Sequence, residues 1–258
     1  MNLYELIVCI IAGLGAGLGT GFAGMSAANV ISPMLIAFLG IEPYAAIGIA
    51  LASDVLASAI SAITYGKHKN IDIRHGIVMM ITVLGFTVLA SWISSFLPSA
   101  TVGAFATFMT LLTGLRFLFR PVMTTKESMD QISRQKRLIQ SILCGAVIGS
   151  ICGFVGAGGG MMMLLILTGV LGYELKTAVG TSVFIMTFTA LTGAISHFAI
   201  SGGVANWGYL IVCVISTYVF AEIAARIANR STPEMLNRFT GLLLTLIGIV
   251  IVAVTYFL

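Results

Sequence analysis

Charge is the ingredient this chain has least of. Asp, Glu, Lys and Arg together make up 9% of its 258 residues while 59% are hydrophobic, and mean hydropathy is +1.08. Soluble domains carry about 25% charged residues, so the composition is that of a polytopic membrane protein and not of a soluble or nucleic-acid-binding domain. Cysteine is also sparse: Cys9, Cys144, Cys152 and Cys213 lie in apolar segments without CxxC or Cys/His spacing, so neither a disulfide framework nor a zinc site is expected. The first residues, MNLYELIV, hold Glu5 and no Lys or Arg, so they lack the basic region of a cleaved secretory signal and are expected to belong to the fold. HExxH, GxSxG, paired membrane aspartates and a Walker glycine pattern are all missing, which leaves an enzyme reading and a cofactor without a foothold.

Long apolar runs are what the chain has instead. A helical crossing needs about 20 mostly apolar residues. Six stretches supply that: 44–65, 75–97, 100–119, 176–198, 207–228 and 238–257. Two further regions, 3–39 and 138–172, are too long for one crossing and are broken by glycine; each is expected to be a hairpin of two short segments. Lys and Arg mark cytoplasmic loops. They gather in GKHKNIDIRH (Lys67, Lys69, Arg74), between Arg116 and Arg137 (with Arg120, Lys126, Arg134 and Lys136), and at Arg226, Arg230 and Arg238, whereas LPSA (97–100) and ISGGVAN (200–206) are uncharged. The first three connections are therefore expected inside and the last two outside. The basic residues between 116 and 137 are expected to set topology, touch anionic headgroups and draw anions to the inner mouth.

The chain also aligns with itself. A constant offset of 132 residues superimposes GFAGMSAA (21–28) on GFVGAGGG (153–160), and without a gap pairs Leu39-Gly40 with Leu171-Gly172, Glu42 with Glu174, Gly48 with Gly180, and Ala62-Ile63 with Ala194-Ile195. The loop charges put Glu42 outside and Glu174 inside. An inverted-topology duplication follows: repeat 1 over 1–120, a basic cytoplasmic linker over 121–137 and repeat 2 over 138–258, each repeat a broken hairpin plus three transmembrane helices. Secondary transporters use this plan, with substrate bound near the midplane where interrupted segments of the two repeats meet.

The interruptions at 20–33 and 152–165 have a chemical meaning in that setting. Non-helical backbone at membrane depth survives only where protein or a wet cavity surrounds it. A helix restarting there presents unpaired N–H groups and a partial positive charge, which suits an anion without a buried Arg or Lys. The competing explanation is close helix packing by small residues.

GFVGAGGG followed by LGYELKTAVGTSVF, with the weaker pair GFAGMSAA and LGIEPYAAIGIALASD, resembles the TauE/SafE sulfite-exporter family, also called the 4-toluenesulfonate uptake permease family. The resemblance covers nearly the whole chain. It implies a transporter of small sulfur-containing anions such as sulfite or organosulfonates, working by alternating access in the cytoplasmic membrane of a prokaryote. Residue by residue it carries over to Gly156, Gly158, Gly159 and Gly160 at the turn, then Ala178, Gly180, Thr181 and Ser182, whose amides and hydroxyls would donate to anionic oxygens. The first repeat departs from the pattern, with Ser26, Ala27 and Ala28 in place of the triple glycine and Gly48-Ile49-Ala50 in place of Gly-Thr-Ser. There Gly24, Ser26, Ala27, Ala28 and Asn29 form the expected half-site, with Ser26 and Asn29 as side-chain donors. Expected partners are a small anionic substrate, the lipid bilayer, a coupling proton or cation, and a second copy of the chain as a homodimer, with no nucleic acid. An anion channel, and a transporter of another small organic anion such as a carboxylate, stay open as alternatives.

Asp54 stands near the middle of 44–65, opposite Met186 in the alignment. An intramembrane carboxylate suggests proton coupling or a gate contact; pairing with Ser53 or Ser58 is the structural alternative. His197 is expected to be packed at the interface, Glu222 and Arg226 to form an i,i+4 ion pair, and Met161 to Met163 to be flexible packing, not a soft-metal site.

Overall fold

A computed structural model describes residues 1–94, 102–126, 129, 133–155, 159–201, 203–204 and 206–257. The described residues are almost wholly helical: α1 (Leu3–Ala23), α2 (Ala28–Leu39), α3 (Pro43–Lys67), α4 (Ile73–Ser94), α5 (Val102–Phe119), α6 (Arg134–Val155), α7 (Gly159–Gly169), α8 (Leu175–Ser201), α9 (Trp207–Arg230) and α10 (Pro233–Phe257). Local chemistry starts several of them. Asn2 and Glu5 form a reciprocal capping box at α1, Glu42 accepts from the Ala45 N–H ahead of Pro43 at α3, and Asn206 caps α9, each supplying a partner to an orphan amide of the first turn. Gly40 and Gly172, 132 residues apart, both adopt positive φ (63° and 66°) where the chain turns towards the next long helix.

Six helices among the described residues are long and apolar enough to cross a membrane: α1, α3, α4, α8, α9 and α10. The protein is therefore a multi-pass membrane protein. One expectation needs correction. The broken hairpins are not pairs of short segments: α1 has 21 residues and α6 has 22, whereas only α2, with 12, and α7, with 11, are short. The first arm reaches full length because its glycines are spent on packing and not on breaking the helix.

The most extensive helix contacts are α4 with α6, α1 with α9, α3 with α8, and, equally, α3 with α9 and α5 with α10. In membranes small residues let helices approach closely, so dispersion replaces the missing hydrophobic drive. Gly13, Gly17 and Gly21 line α1 at every fourth position; a methyl group on Gly17 would stand 2.6 Å from Thr217 O, and one on Gly21 2.5 Å from Ala221 O. On α6, Gly149 meets Val83 O in the same way, at 2.5 Å. In the α3–α8 pair a methyl on Gly48 would lie 3.1 Å from the Phe198 ring and 3.5 Å from His197 Cβ, and one on Gly180 2.8 Å from Tyr65 Cβ.

Hydrogen bonds gather the charged connections at one end of the molecule. Lys126 Nζ donates to Lys69 O and to Asn70 Oδ1, Asn70 Nδ2 donates to Asn229 Oδ1, and Lys176 Nζ donates to Asn229 O. At the other end the Tyr4 hydroxyl donates to Phe38 O, and His197 stacks on Tyr44 with ring centroids 4.1 Å apart.

Gly17→Ala is expected to lower thermal stability in detergent by about 1–3 kcal/mol, since the obstructing atoms are backbone. Gly85→Ala on α4, where an added methyl meets nothing within 4 Å, is expected to leave the melting temperature unchanged or raised. Equal losses in the two variants would contradict the packing role of the α1 glycines.

Candidate functional site

The chain breaks between α1 and α2 because Gly24 turns into the left-handed region, at φ 60°, which an L side chain resists. Its carbonyls then need new partners. The Tyr65 hydroxyl of α3 donates to Gly21 O at 2.9 Å, Thr240 Oγ1 of α10 to Phe22 O at 3.3 Å, Ser182 Oγ of α8 to Gly24 O at 3.2 Å, and Thr20 Oγ1 to Met25 O at 2.8 Å. Three other helices thus anchor one turn, and the peptide groups that lipid would leave unpaired are satisfied.

The donors of the same turn converge on Asp54. This carboxylate is 1% exposed; its Oδ2 accepts from Ser26 Oγ at 2.6 Å, its Oδ1 from Ser58 Oγ at 2.9 Å, and the Ala27 backbone N–H faces it. Ala27 is the N-cap of α2 and supplies no side-chain acceptor of its own. Asp54, from α3, takes that role. Ser58 is the partner expected from sequence; Ser53 instead donates to Ile49 O.

The start of α7 meets this turn. A methyl on Gly160, in the opening turn of α7, would stand 2.6 Å from Gly24 O, 2.9 Å from Ser26 N and 2.5 Å from Met186 Sδ. Gly24, Ser26, Ala27, Gly160, Ser182 and Asp54 are therefore gathered around one point. Ala28 opens α2, and Asn29 follows it with a buried Nδ2 that has no hydrogen-bond partner, as do Ser32 Oγ on α2 and Ser61 Oγ on α3. Pro33 further removes the amide that would have bonded Asn29 O. Gly159 begins α7, while Gly156 and Gly158 lie outside the described residues.

Gly180 and Thr181 face another neighbour. A methyl on Gly180 would lie 2.0 Å from Asn70 O, and Thr181 Oγ1 accepts from the Asp72 N–H at 3.0 Å. In this conformation the pair seats the α3–α4 connection against α8.

That connection belongs to a polar cluster that the sequence reading did not single out. Asp72 Oδ2 accepts from the Tyr173 hydroxyl at 2.8 Å, lies 2.8 Å from His75 Nδ1 and 3.7 Å from Arg137 Nη1; the Arg137 guanidinium sits over the Tyr173 ring, 5.6 Å from its centroid. His75 is 7% and Arg137 8% exposed. Burial, reinforced by the Asp72 charge, pushes the Tyr173 hydroxyl well above its ordinary value, so it stays a donor. Arg137 Nη2 also donates to Met129 O. Three of the basic residues assigned from sequence to headgroups are thus engaged within the protein: Arg137 here, Lys126 at Asn70, and Arg116, whose Nη1 donates to Leu165 O and Thr168 Oγ1 near the end of α7. There the cation complements the negative helix terminus. The Glu222–Arg226 ion pair forms as its spacing predicts. Met163 is buried in the core.

A family model described as "Sulfite exporter TauE/SafE" matches residues 9–251. Similar full-length relatives are named as probable membrane transporter proteins. YunE of Bacillus subtilis is 24% identical over 95% of this chain and 96% of the relative, and MJ0441 of Methanocaldococcus jannaschii is 26% identical over 96% and 95%. YtnM of Bacillus subtilis is 27% identical over 92% of this chain and 79% of its own length.

Asp54→Ala strands two hydroxyls and an amide in a dry site, so it is expected to cost about 2–4 kcal/mol of stability. Asp54→Asn, which keeps one acceptor oxygen, is expected to cost less. Thermal unfolding of both purified variants checks the order, and an Ala variant as stable as the native chain would contradict the capping role of Asp54.

Proposed function

The chain belongs to the TauE/SafE sulfite exporter family and is a membrane transporter, not an enzyme, and we propose that it moves a small sulfur-containing anion, an organosulfonate or sulfite, by alternating access. The anion is held by main-chain amides where the two broken hairpins meet, not by a cationic side chain. The observation that carries this reading is the approach of Gly160 to Gly24 O and Ser26 N: the start of α7 and the break between α1 and α2, distant in sequence, adjoin in the interior of the protein.

The two halves act as inverted repeats. At the 132-residue offset, Gly48 corresponds to Gly180 and Tyr65 to His197; Gly48 contacts His197 and Gly180 contacts Tyr65, which is the exchange a two-fold axis in the membrane plane produces. The pairing of α1 with α9 and of α6 with α4 has the same reciprocity. Rocking of one repeat against the other would then open the central point to each side in turn.

The half-sites are not equal. Asp54 fills the space in front of the α2 start, so that position already holds a negative group supplied by the chain. Its counterpart in the second repeat is Met186, whose thioether lies against Gly160. A thioether is a weak acceptor, which leaves the α7 amides of Gly159 and Gly160 as the place for substrate oxygens. Ser182 borders it, and the unpartnered Asn29 amide supplies a further donor from the first repeat. A conformational change that releases Ser182 from Gly24 O frees its hydroxyl for the anion. Asp54, joined through Ser26 to the same turn, is the coupling or gating residue.

A thermal-shift panel of sulfite, sulfate, sulfoacetate, taurine, aromatic sulfonates and small carboxylates tests the substrate class. Sulfur anions are expected to raise the melting temperature by several degrees at about 100 times Kd, and Gly159→Leu to abolish the shift. A response confined to carboxylates would overturn the sulfur reading, and a response unaffected by Gly159→Leu would move the site. In proteoliposomes, Asp54→Asn is expected to flatten the pH dependence of uptake; full retention of that dependence would remove Asp54 from coupling.

A further inference from the structure

If the halves of a transporter exchange access, some bonds must hold the closed face shut and break when it opens. Asp72 sits where such bonds would be. It belongs to the first half, in the connection between α3 and α4, yet its partners are largely from the second: Tyr173 in the α7–α8 connection, Thr181 on α8 and Arg137 on α6. His75, one turn into α4, supports the carboxylate through Nδ1 and through its backbone N–H, which donates to Asp72 Oδ1 at 3.2 Å. Thr181 lies next to Ser182, which donates to Gly24 O. Through these adjacent residues of α8 the cluster connects to the point where the start of α7 meets the Gly24 turn.

We propose that Asp72 is the latch of the inner gate, closing the cytoplasmic path by binding Tyr173 and Thr181 across the boundary between the halves. The proposal rests on the alternating-access reading. Charged and titratable groups facing the latch are His75 from α4, Arg137 from α6 and Tyr173 from the α7–α8 connection. Lys126, joined to Asn70, and Lys176, joined to Asn229, close the rim beside it. The Arg137 Nε is buried without a partner, so the guanidinium is not fully spent in this arrangement and retains a donor for another one.

The latch has no counterpart on the opposite face. At the 132-residue offset Asp72 corresponds to Val204, Tyr173 to Ile41 and Thr181 to Ile49, all apolar. The carboxylate and its two hydroxyl partners are thus confined to one of the two faces. Hydrogen bonds to a charged group are worth more than neutral ones, so weakening the latch moves the resting population towards the inward-open state.

Sided thiol labelling tests this without any substrate. Ser182→Cys is introduced into the full chain with its four native cysteines replaced by Ala, and a membrane-impermeant maleimide is applied to inside-out and right-side-out vesicles. Tyr173→Phe, which removes the hydroxyl but keeps the ring beneath Arg137, is expected to raise labelling from the inner face about tenfold and not to raise it from the outer face. Thr181→Val serves as the second variant and is expected to act in the same direction. Unchanged inner labelling in both variants, or an equal rise from both faces, overturns the latch. Because no anion is present, a chain that carried no sulfur anion at all would still give an interpretable result, so the two readings fail separately.

Discussion

A peptide group without a hydrogen-bond partner is intolerable at membrane depth, and the turn at Gly24 exposes several. Everything near the centre of this protein follows from how they are satisfied. Hydroxyls of Tyr65, Thr240 and Ser182 reach the turn from α3, α10 and α8, so a local break in one helix becomes a junction of four. On its other side the Ser26 hydroxyl and the Ala27 amide find the Asp54 carboxylate. Such a junction is rigid while its bonds persist and cannot be deformed gradually, which suits a two-state device better than a continuously flexible one.

Asymmetry between the halves then acquires chemical sense. A site built twice from main-chain amides would attract two anions, whose mutual repulsion in a dry interior is severe. Under the proposed mode of binding, a tethered carboxylate in one half and a thioether in the other would admit a single anion. The basic residues take on different work. Arg116 complements the end of α7 and Arg137 joins the Asp72 cluster, so these cationic side chains are spent on contacts within the protein.

Much of this was legible in the sequence, for identifiable reasons. Apolar run length picks out the long helices α3, α4, α8, α9 and α10, and the glycine-interrupted stretch 20–33 holds the turn between α1 and α2. What the sequence concealed was mostly partnership. Nothing local distinguishes a glycine that breaks a helix from one that packs against its neighbour, so α1 and α6 were expected to be short although Gly13 and Gly17 are packing residues within a continuous helix. Asp54 stood out by its place in an apolar span, but its bond to Ser26 joins residues 28 apart, beyond any helical periodicity. Asp72 was not singled out and Arg137 was expected at headgroups, because their burial depends on connections brought together only by the fold. The spacing of Glu222 and Arg226, by contrast, carries its own geometry.

The central claim is that peptide amides at the start of α7 hold the transported anion while Asp54 occupies the equivalent place at α2. Anomalous scattering locates a heavy-atom anion directly, so crystals of the complex with a bromobenzenesulfonate or with selenite are the most direct measurement. The account predicts one anomalous peak, with anion oxygens about 3 Å from the amides of Gly159 and Gly160 and the Ser26–Asp54 bond intact. A peak against Arg137 and Lys126, or one that displaces Asp54 from the α2 turn, would contradict it.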